Sequence, residues 1–125
     1  MADGIDYGQA KISALNEAAR AGQFSFDPVA VDEVVRTYDQ MILGLTEIRH
    51  RLGDAVSASG FGSIPSAQEL QSGFTKKATQ GQTVIGELID GAMRLQEAYL
   101  RAAGRIVDAD AVNSQRIRQL QSQGV

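Results

Sequence analysis

The sequence predicts an all-α protein: an antiparallel helical hairpin with a short N-terminal helix, which forms a four-helix-type bundle on dimerisation. Three observations predict this fold class. Only 6% of the 125 residues are aromatic, and Ala, Gln, Arg and Glu, which favour helix, are abundant. The two prolines both stand where a helix is expected to begin. Apolar residues recur with the heptad spacing of helices that pack against other helices.

The first long helix begins in the segment "SFDPVAVDEVV" and is expected over residues 28–58. Asp27 is a good N-cap, and Pro28 suits the first helical position, where no backbone donor is needed. The predicted packing stripe consists of Val31, Tyr38, Leu45 and Leu52. The seam beside it consists of Val34, Met41, Ile48 and Ala55. This spacing favours a helix-packing face over a strand.

A glycine-rich turn near residues 59–65 follows the first long helix. Its apex residues are Gly60, Phe61 and Gly62. The two glycines adopt positive φ at no steric cost, and Pro65 disfavours a helical conformation at the preceding residue. A short connection between helices makes them antiparallel neighbours, so the turn predicts a hairpin.

The second helix is predicted from residue 66 to about 120. Ser66 and Glu69 form a capping box, and Ile64 and Leu70 are spaced to form a hydrophobic staple. The packing seam of this helix includes Phe74, Ile85, Leu88 and Leu95. Small residues on the seam indicate close helix approach, and four glycines mark possible kinks: Gly81, Gly86, Gly91 and Gly104.

The two long helices differ in predicted length, about 46 Å against about 80 Å at 1.5 Å per residue. The longer helix is therefore expected to overhang its partner from about Glu97 onward. Segment 4–21, with a weak apolar stripe, joins the first helix at that end and is expected to pack there. The predicted organisation is an N-terminal helix and connector (1–26), a hairpin (27–122) and a tail (123–125).

Two helices alone leave much of each seam uncovered, so the wide stripes imply further helices from segment 4–21 or from a second chain. The sequence favours a four-helix arrangement across two chains over a self-sufficient monomer.

Composition and motifs argue against most other classes of function. The net charge is −3, without the basic character typical of nucleic-acid binding, and there is no cysteine and a single histidine. No segment is expected to span a membrane or to act as a cleaved signal peptide. His50 and the acidic residues Glu87, Asp90, Glu97, Asp108 and Asp110 are interpreted as solvated surface groups. The sequence predicts no enzyme, cofactor or metal site.

The hairpin resembles the WXG-type small proteins of type VII (ESX) secretion. The similarity covers residues 27–112 and is clearest in "RLQEAYLRAAGRIVDADA", residues 94–111. The family carries Trp-x-Gly at the apex, where this chain has Phe61 between two glycines. The family's export motif is Tyr-x-x-x-Asp/Glu; here Tyr99 is followed four residues later by Ala103, and the nearest acids are Asp108 and Asp110.

The resemblance implies a non-enzymatic protein that pairs with itself or with a second small helical protein. It also implies a larger secreted effector and the secretion ATPase as further partners, and export without a cleaved signal peptide. Tyr99 would be the export contact and Phe61 an apex anchor, although Tyr99 also fits an ordinary seam residue. The alternative hypothesis is a cytoplasmic helical adaptor or structural bundle protein unrelated to secretion.

Overall fold

The computed structural model describes residues 5–57 and 59–122, and these residues form four helices without a strand. The helices are α1 (Gln9–Arg20), α2 (Pro28–Val56), α3 (Pro65–Ala102) and α4 (Ile106–Ser122). The all-α fold predicted from the sequence is confirmed. Residue 58, the predicted tail 123–125 and the first residue of segment 4–21 lie outside the described residues.

The start of α2 follows the predicted local chemistry. The Asp27 carboxylate accepts a hydrogen bond from the backbone N–H of Ala30 at 2.9 Å, and Pro28 occupies the first helical position. One of the free N–H groups at the helix start is thereby satisfied, which confirms the predicted cap.

The predicted capping box at the start of α3 is wrong. The helix begins one residue earlier, at Pro65, with Ile64 as an N-cap that makes no side-chain cap hydrogen bond. Because Pro65 takes the first helical position, Ser66 lies inside the helix and not at its cap. Ile64 and Leu70 are 62% and 64% exposed, so the expected hydrophobic staple does not form either.

α2 and α3 pack antiparallel along their lengths. Near the start of α2, Val31 is buried in one cluster with Leu100 of α3. Near its end, Leu52 fits against Gly81, where an added Cβ would lie 3.1 Å from Leu52 Cδ1. The close helix approach expected from the small seam residues is therefore present at Gly81.

The chain turns back sharply after α3. Gly104 has φ +77°, a conformation that glycine adopts without strain, and the N–H of Arg105 returns to the carbonyl of Leu100 at 2.8 Å. The predicted single helix to residue 120 is wrong, because residues 106–122 fold back as α4. α3 itself runs without a break through Gly81, Gly86 and Gly91.

The expected overhang beyond Glu97 does not exist. α3 ends at Ala102, level with the start of α2, since Val31 packs with Leu100. α1 still packs on this part of α3, as the sequence indicated, and α4 packs on another side of it. One end of the molecule thus contains four helices supplied by a single chain.

This arrangement divides the molecule into two parts. The proximal half, where α3 contacts α1, α2 and α4, comprises residues 9–20, 28–44, 86–102 and 106–122. The distal arm, formed by the pair α2 and α3 with only the end of α4 beside its base, comprises residues 45–57 and 59–85.

Replacement of Gly104 by alanine tests the origin of the turn between α3 and α4. At φ +77° an alanine is strained, so we expect Gly104→Ala to lower the free energy of unfolding by about 1 kcal/mol. Gly73→Ala is the control, because Gly73 is helical with open space around its Cβ position, and there we expect stabilisation by up to about 1 kcal/mol. Urea denaturation measures both; equal effects of the two variants would contradict this account.

Candidate helix-docking surface

The proximal half of α3 is enclosed by the other three helices. Its buried residues point in several directions around the helix axis, and they include Ile89, Gly91, Ala92, Met93, Gln96, Glu97, Ala98, Leu100 and Ala102. A helix that is buried on most sides is a core helix rather than an amphipathic surface helix. The core of the molecule therefore lies around the second half of α3.

Glu97 lies at the centre of this core, contrary to the prediction that it is a solvated surface group. Its side chain is 3% exposed and accepts hydrogen bonds from Arg20 of α1 at 2.7 Å and Arg101 at 2.8 Å. Arg101 in turn donates to Asp110 of α4 at 2.7 Å. These ion pairs connect three helices through one buried carboxylate.

Arg101 is held as a cation by its two acidic neighbours. Burial alone would lower the pKa of Arg101, but the hydrogen bonds and charges of Asp110 and Glu97 raise it above its ordinary value. The guanidinium therefore stays charged, as a buried carboxylate partner requires.

The other predicted surface acids also have specific partners. Asp90 of α3 accepts a hydrogen bond from Arg116 of α4 at 2.9 Å, and both side chains are largely buried. Asp108 pairs with Arg105 at 2.7 Å, and Arg105 also pairs with Asp32 of α2. The prediction of a solvated surface group is wrong for Asp90, whose side chain is 18% exposed. Asp108 and Asp110 are exposed, as predicted, although each also pairs with an arginine.

α1 is positioned by contacts with the backbone of α3. Asn16 donates to the carbonyl of Arg94 at 2.8 Å, and Gln9 donates to that of Glu87 at 3.3 Å. Gly91 permits the close approach, since a Cβ there would lie 3.3 Å from Ile12 Cδ1. Glu87 itself is exposed, as predicted.

α2 carries two apolar stripes, and only one of them is packed against α3. The stripe through Val31 and Leu52 contacts α3. The neighbouring stripe includes Met41 and Ile48, which are 45% and 46% exposed. α4 lies on the other side of α2, where Arg105 reaches Asp32, so it does not cover this second stripe.

α3 carries a matching stripe on the side away from α4. The contact between Leu52 and Gly81 places it next to the exposed stripe of α2, and Phe74 on it is 47% exposed. We call the combined surface the open face, made of Val34, Met41 and Ile48 of α2 with Phe74, Leu88 and Leu95 of α3. No described helix covers it, although α1 borders it on one side.

The packing residues predicted from the sequence divide between core and open face. Val31 is buried, Phe74 is half exposed, and the others are partly buried: Tyr38, Leu45, Leu52, Ile85, Leu88 and Leu95. Side chains in such a stripe are partly exposed because one side of the stripe packs against the neighbouring helix and the other side faces solvent.

Tyr99 belongs to an aromatic cluster that closes the proximal end of the open face. Its ring centroid lies 5.4 Å from that of Phe26 and 6.2 Å from that of Tyr38. The ring of Phe24 is tilted against that of Phe26, with centroids 5.2 Å apart. Burial raises the pKa of the Tyr38 hydroxyl above its ordinary value, and the nearby Tyr99 adds to the rise. Tyr99 thus packs as a partly buried seam residue.

The apex contains the predicted glycine turn and one aromatic contact. Gly60 and Gly62 have φ of +86° and +113°. The Phe61 ring lies 5.9 Å from that of Phe74. Phe61 therefore covers part of α3 beyond the end of α2 and extends the apolar surface toward the tip.

Within residues 5–57 and 59–122 no group of three or more acidic or histidine side chains is arranged to hold a metal ion. None of the helices in these ranges is long and apolar enough to cross a bilayer. Comparison of the chain with protein-family models, curated proteins and solved structures finds no match.

Removal of the charge of Glu97 tests whether this carboxylate fixes the proximal core. Glu97→Gln leaves Arg101, which is 11% exposed, without its buried partner, so we expect a loss of about 3 kcal/mol in the free energy of unfolding. The matched control is Glu87→Gln on the exposed side of the same helix, with an expected change below about 0.5 kcal/mol. If urea denaturation gives similar values for both variants, Glu97 does not hold the helices together.

Proposed function

We propose that this chain is a non-enzymatic helical protein of a type VII (ESX-like) secretion system, acting as a secreted substrate or co-secretion partner through helix–helix pairing. The open face supports the pairing. It places large apolar side chains of α2 and α3 on one surface of the hairpin, with Met41, Ile48 and Phe74 about half exposed.

The shape of the open face suits another helix. Gly44 lies between Met41 and Ile48 on α2, and its Cβ position has open space, so a partner helix meets no side chain at this point. Thr37 and Gly44 of this stripe are uncharged, and the charge of the next heptad position, Arg51, is paired with Glu47. From Thr37 to Ile48 this stripe is uncharged and has a glycine at its centre, which allows two helices to approach closely.

The energetic gain from pairing is concentrated in a few residues. Burying the exposed half of Met41, Ile48 or Phe74 stabilises a complex by about 1 kcal/mol each. The partly buried residues beside them, Val34, Leu88 and Leu95, add contact area along the same surface. The partner in this proposal is a second copy of the chain or a second small helical protein.

The secretion context is supported by the resemblance of residues 27–112 to WXG-type proteins and by the hairpin fold. In this proposal a larger secreted effector and the secretion ATPase are further partners. The protein is secreted without a cleaved signal peptide and is cytoplasmic before export. Phe61 replaces the apex tryptophan and contacts Phe74 at the tip.

A cytoplasmic helical adaptor, unrelated to secretion, is the second candidate. One observation favours it: Tyr99, the candidate export contact, is packed between Phe26 and Tyr38. A ring used in this way contributes to the fold whether or not the protein is exported.

Charged substitutions on the open face test the pairing. We expect light scattering to give wild-type protein a mass near twice 13.4 kDa, or a 1:1 complex with a helical partner. Met41→Asp and Ile48→Asp are expected to abolish association and leave the helical signal unchanged, because both side chains are half exposed in the single chain.

The matched control for pairing is Leu43→Asp. Leu43 is 69% exposed and lies on the opposite side of α2, so this variant is expected to associate like wild type. Association that survives Met41→Asp, or that is lost equally in Leu43→Asp, would exclude the open face as the interface.

Export is tested by measuring the unprocessed protein in culture medium, with and without the secretion ATPase. We expect export to depend on the ATPase and to fall in Tyr99→Ala. Phe26→Ala is the control, because it removes the same ring contact without altering Tyr99. Undiminished export of Tyr99→Ala would reject Tyr99 as an export contact, and absence from the medium would favour the cytoplasmic adaptor.

A further inference from the structure

We propose that a cavity on the side of the hairpin away from the open face binds an oxyanion, a carboxylate or phosphate group carried by a small molecule. The cavity has a volume of about 410 Å³ and lies at the base of the distal arm, near the end of α4. Its lining includes Thr46, Arg49, His50 and Asp54 of α2 with Gln82 and Ile89 of α3. This inference does not depend on the proposed function, which concerns the opposite surface.

Arg49 is held in place by a reciprocal pair of hydrogen bonds. Its Nε donates to the carbonyl of Gln82 at 3.3 Å, and Nε2 of Gln82 donates to the carbonyl of Arg49 at 3.2 Å. Both bonds join α2 to α3, so the base of the guanidinium is fixed between the helices. A fixed guanidinium loses little freedom when it binds an anion.

The two terminal nitrogens of Arg49 have no carboxylate partner among the described residues. The other arginines of α2 differ: Arg36 pairs with Glu33, and Arg51 pairs with Glu47, each at 3.7 Å. A partly buried guanidinium whose terminal donors are unpaired within residues 5–57 and 59–122 is suited to bidentate binding of a carboxylate or phosphate.

The surroundings of Arg49 strengthen and orient such binding. Ile89 is 3% exposed and gives the cavity an apolar wall, which lowers the local dielectric constant and strengthens charge–charge attraction. The imidazole of His50 adds a ring nitrogen able to donate a hydrogen bond. The exposed Asp54 carboxylate opposes an anion, so the oxyanion binds at Arg49 and not at that rim.

The size of the cavity indicates more than a bare ion. Small-molecule sites in proteins have volumes of roughly 300–1,000 Å³, and this cavity lies within that range. Inorganic phosphate or acetate fills only part of it. Both ions are therefore suitable probes of the charged end of the site, and the rest of the space is left for the body of the ligand.

Nuclear magnetic resonance titration of the full chain tests the proposal. Inorganic phosphate and acetate are added in separate arms, with chloride at matched ionic strength as the reference. We expect saturable shifts of the amides around Thr46, Arg49 and Gln82, and the arm with tighter binding identifies whether phosphate or carboxylate is preferred. Shifts identical to those caused by chloride would overturn the proposal.

Three variants separate binding at Arg49 from general charge effects. Arg49→Gln is expected to weaken binding by about tenfold or more, whereas Arg51→Gln, which removes the same charge two residues away, is expected to bind like wild type. Asp54→Asn, at an exposed position, is expected to bind more tightly and keeps the test valid if Arg49→Gln fails to fold. Equal affinity of Arg49→Gln and Arg51→Gln, or unchanged affinity of Asp54→Asn, would contradict the proposed site.

Discussion

The packing of every other helix against α3 is the constraint on which the rest of the structure depends. α3 has 38 residues and is about 57 Å long, whereas α1 and α4, with 12 and 17 residues, are about 18 Å and 26 Å long. The two short helices cover only the proximal half of α3. The molecule is therefore a four-helix bundle at one end and a two-helix arm at the other, and the open face follows from this difference.

The helices are held together by different combinations of interactions at the two ends of the molecule. In the distal arm, side chains such as Leu52 pack against α3 and bury apolar surface. In the proximal half, Ala19 of α1 and Ala109 of α4 are also buried in apolar clusters with α3. Directional polar contacts to Glu97, Asp90 and the backbone of α3 are added to these clusters. Buried ion pairs add little net stability, but they favour one arrangement over others because an unpaired buried charge is costly. They explain how two helices whose buried apolar residues are mostly small keep defined positions.

The hairpin could be predicted from the sequence because it depends on local signals. Asp27 and Pro28 start α2, and glycines with positive φ make the apex turn. The turn back at Gly104 could not be predicted, because Gly81, Gly86 and Gly91 are also single glycines within a helical pattern and remain helical. The break is decided by α4, whose Ala109 is buried against Val31 and Leu100.

The buried position of Glu97 was also beyond sequence reasoning. Its partner Arg20 is 77 residues away in the chain, and a glutamate on a helix is usually solvated. The position of Arg49 could not be predicted either, because its hydrogen bonds with Gln82 depend on the register between α2 and α3. The two apolar stripes of α2, in contrast, are evident from heptad spacing. Which of them is packed and which is open required the positions of α3 and α4.

Hydrogen exchange measured along α3 at low and high protein concentration tests the central claim most directly. At low concentration, amides of residues 86–102 should exchange far more slowly than those of residues 65–85, because three helices protect the first group and one protects the second. Raising the concentration should slow exchange in the distal arm, as a partner covers the open face. Uniform protection along the whole of α3 at low concentration would contradict the account.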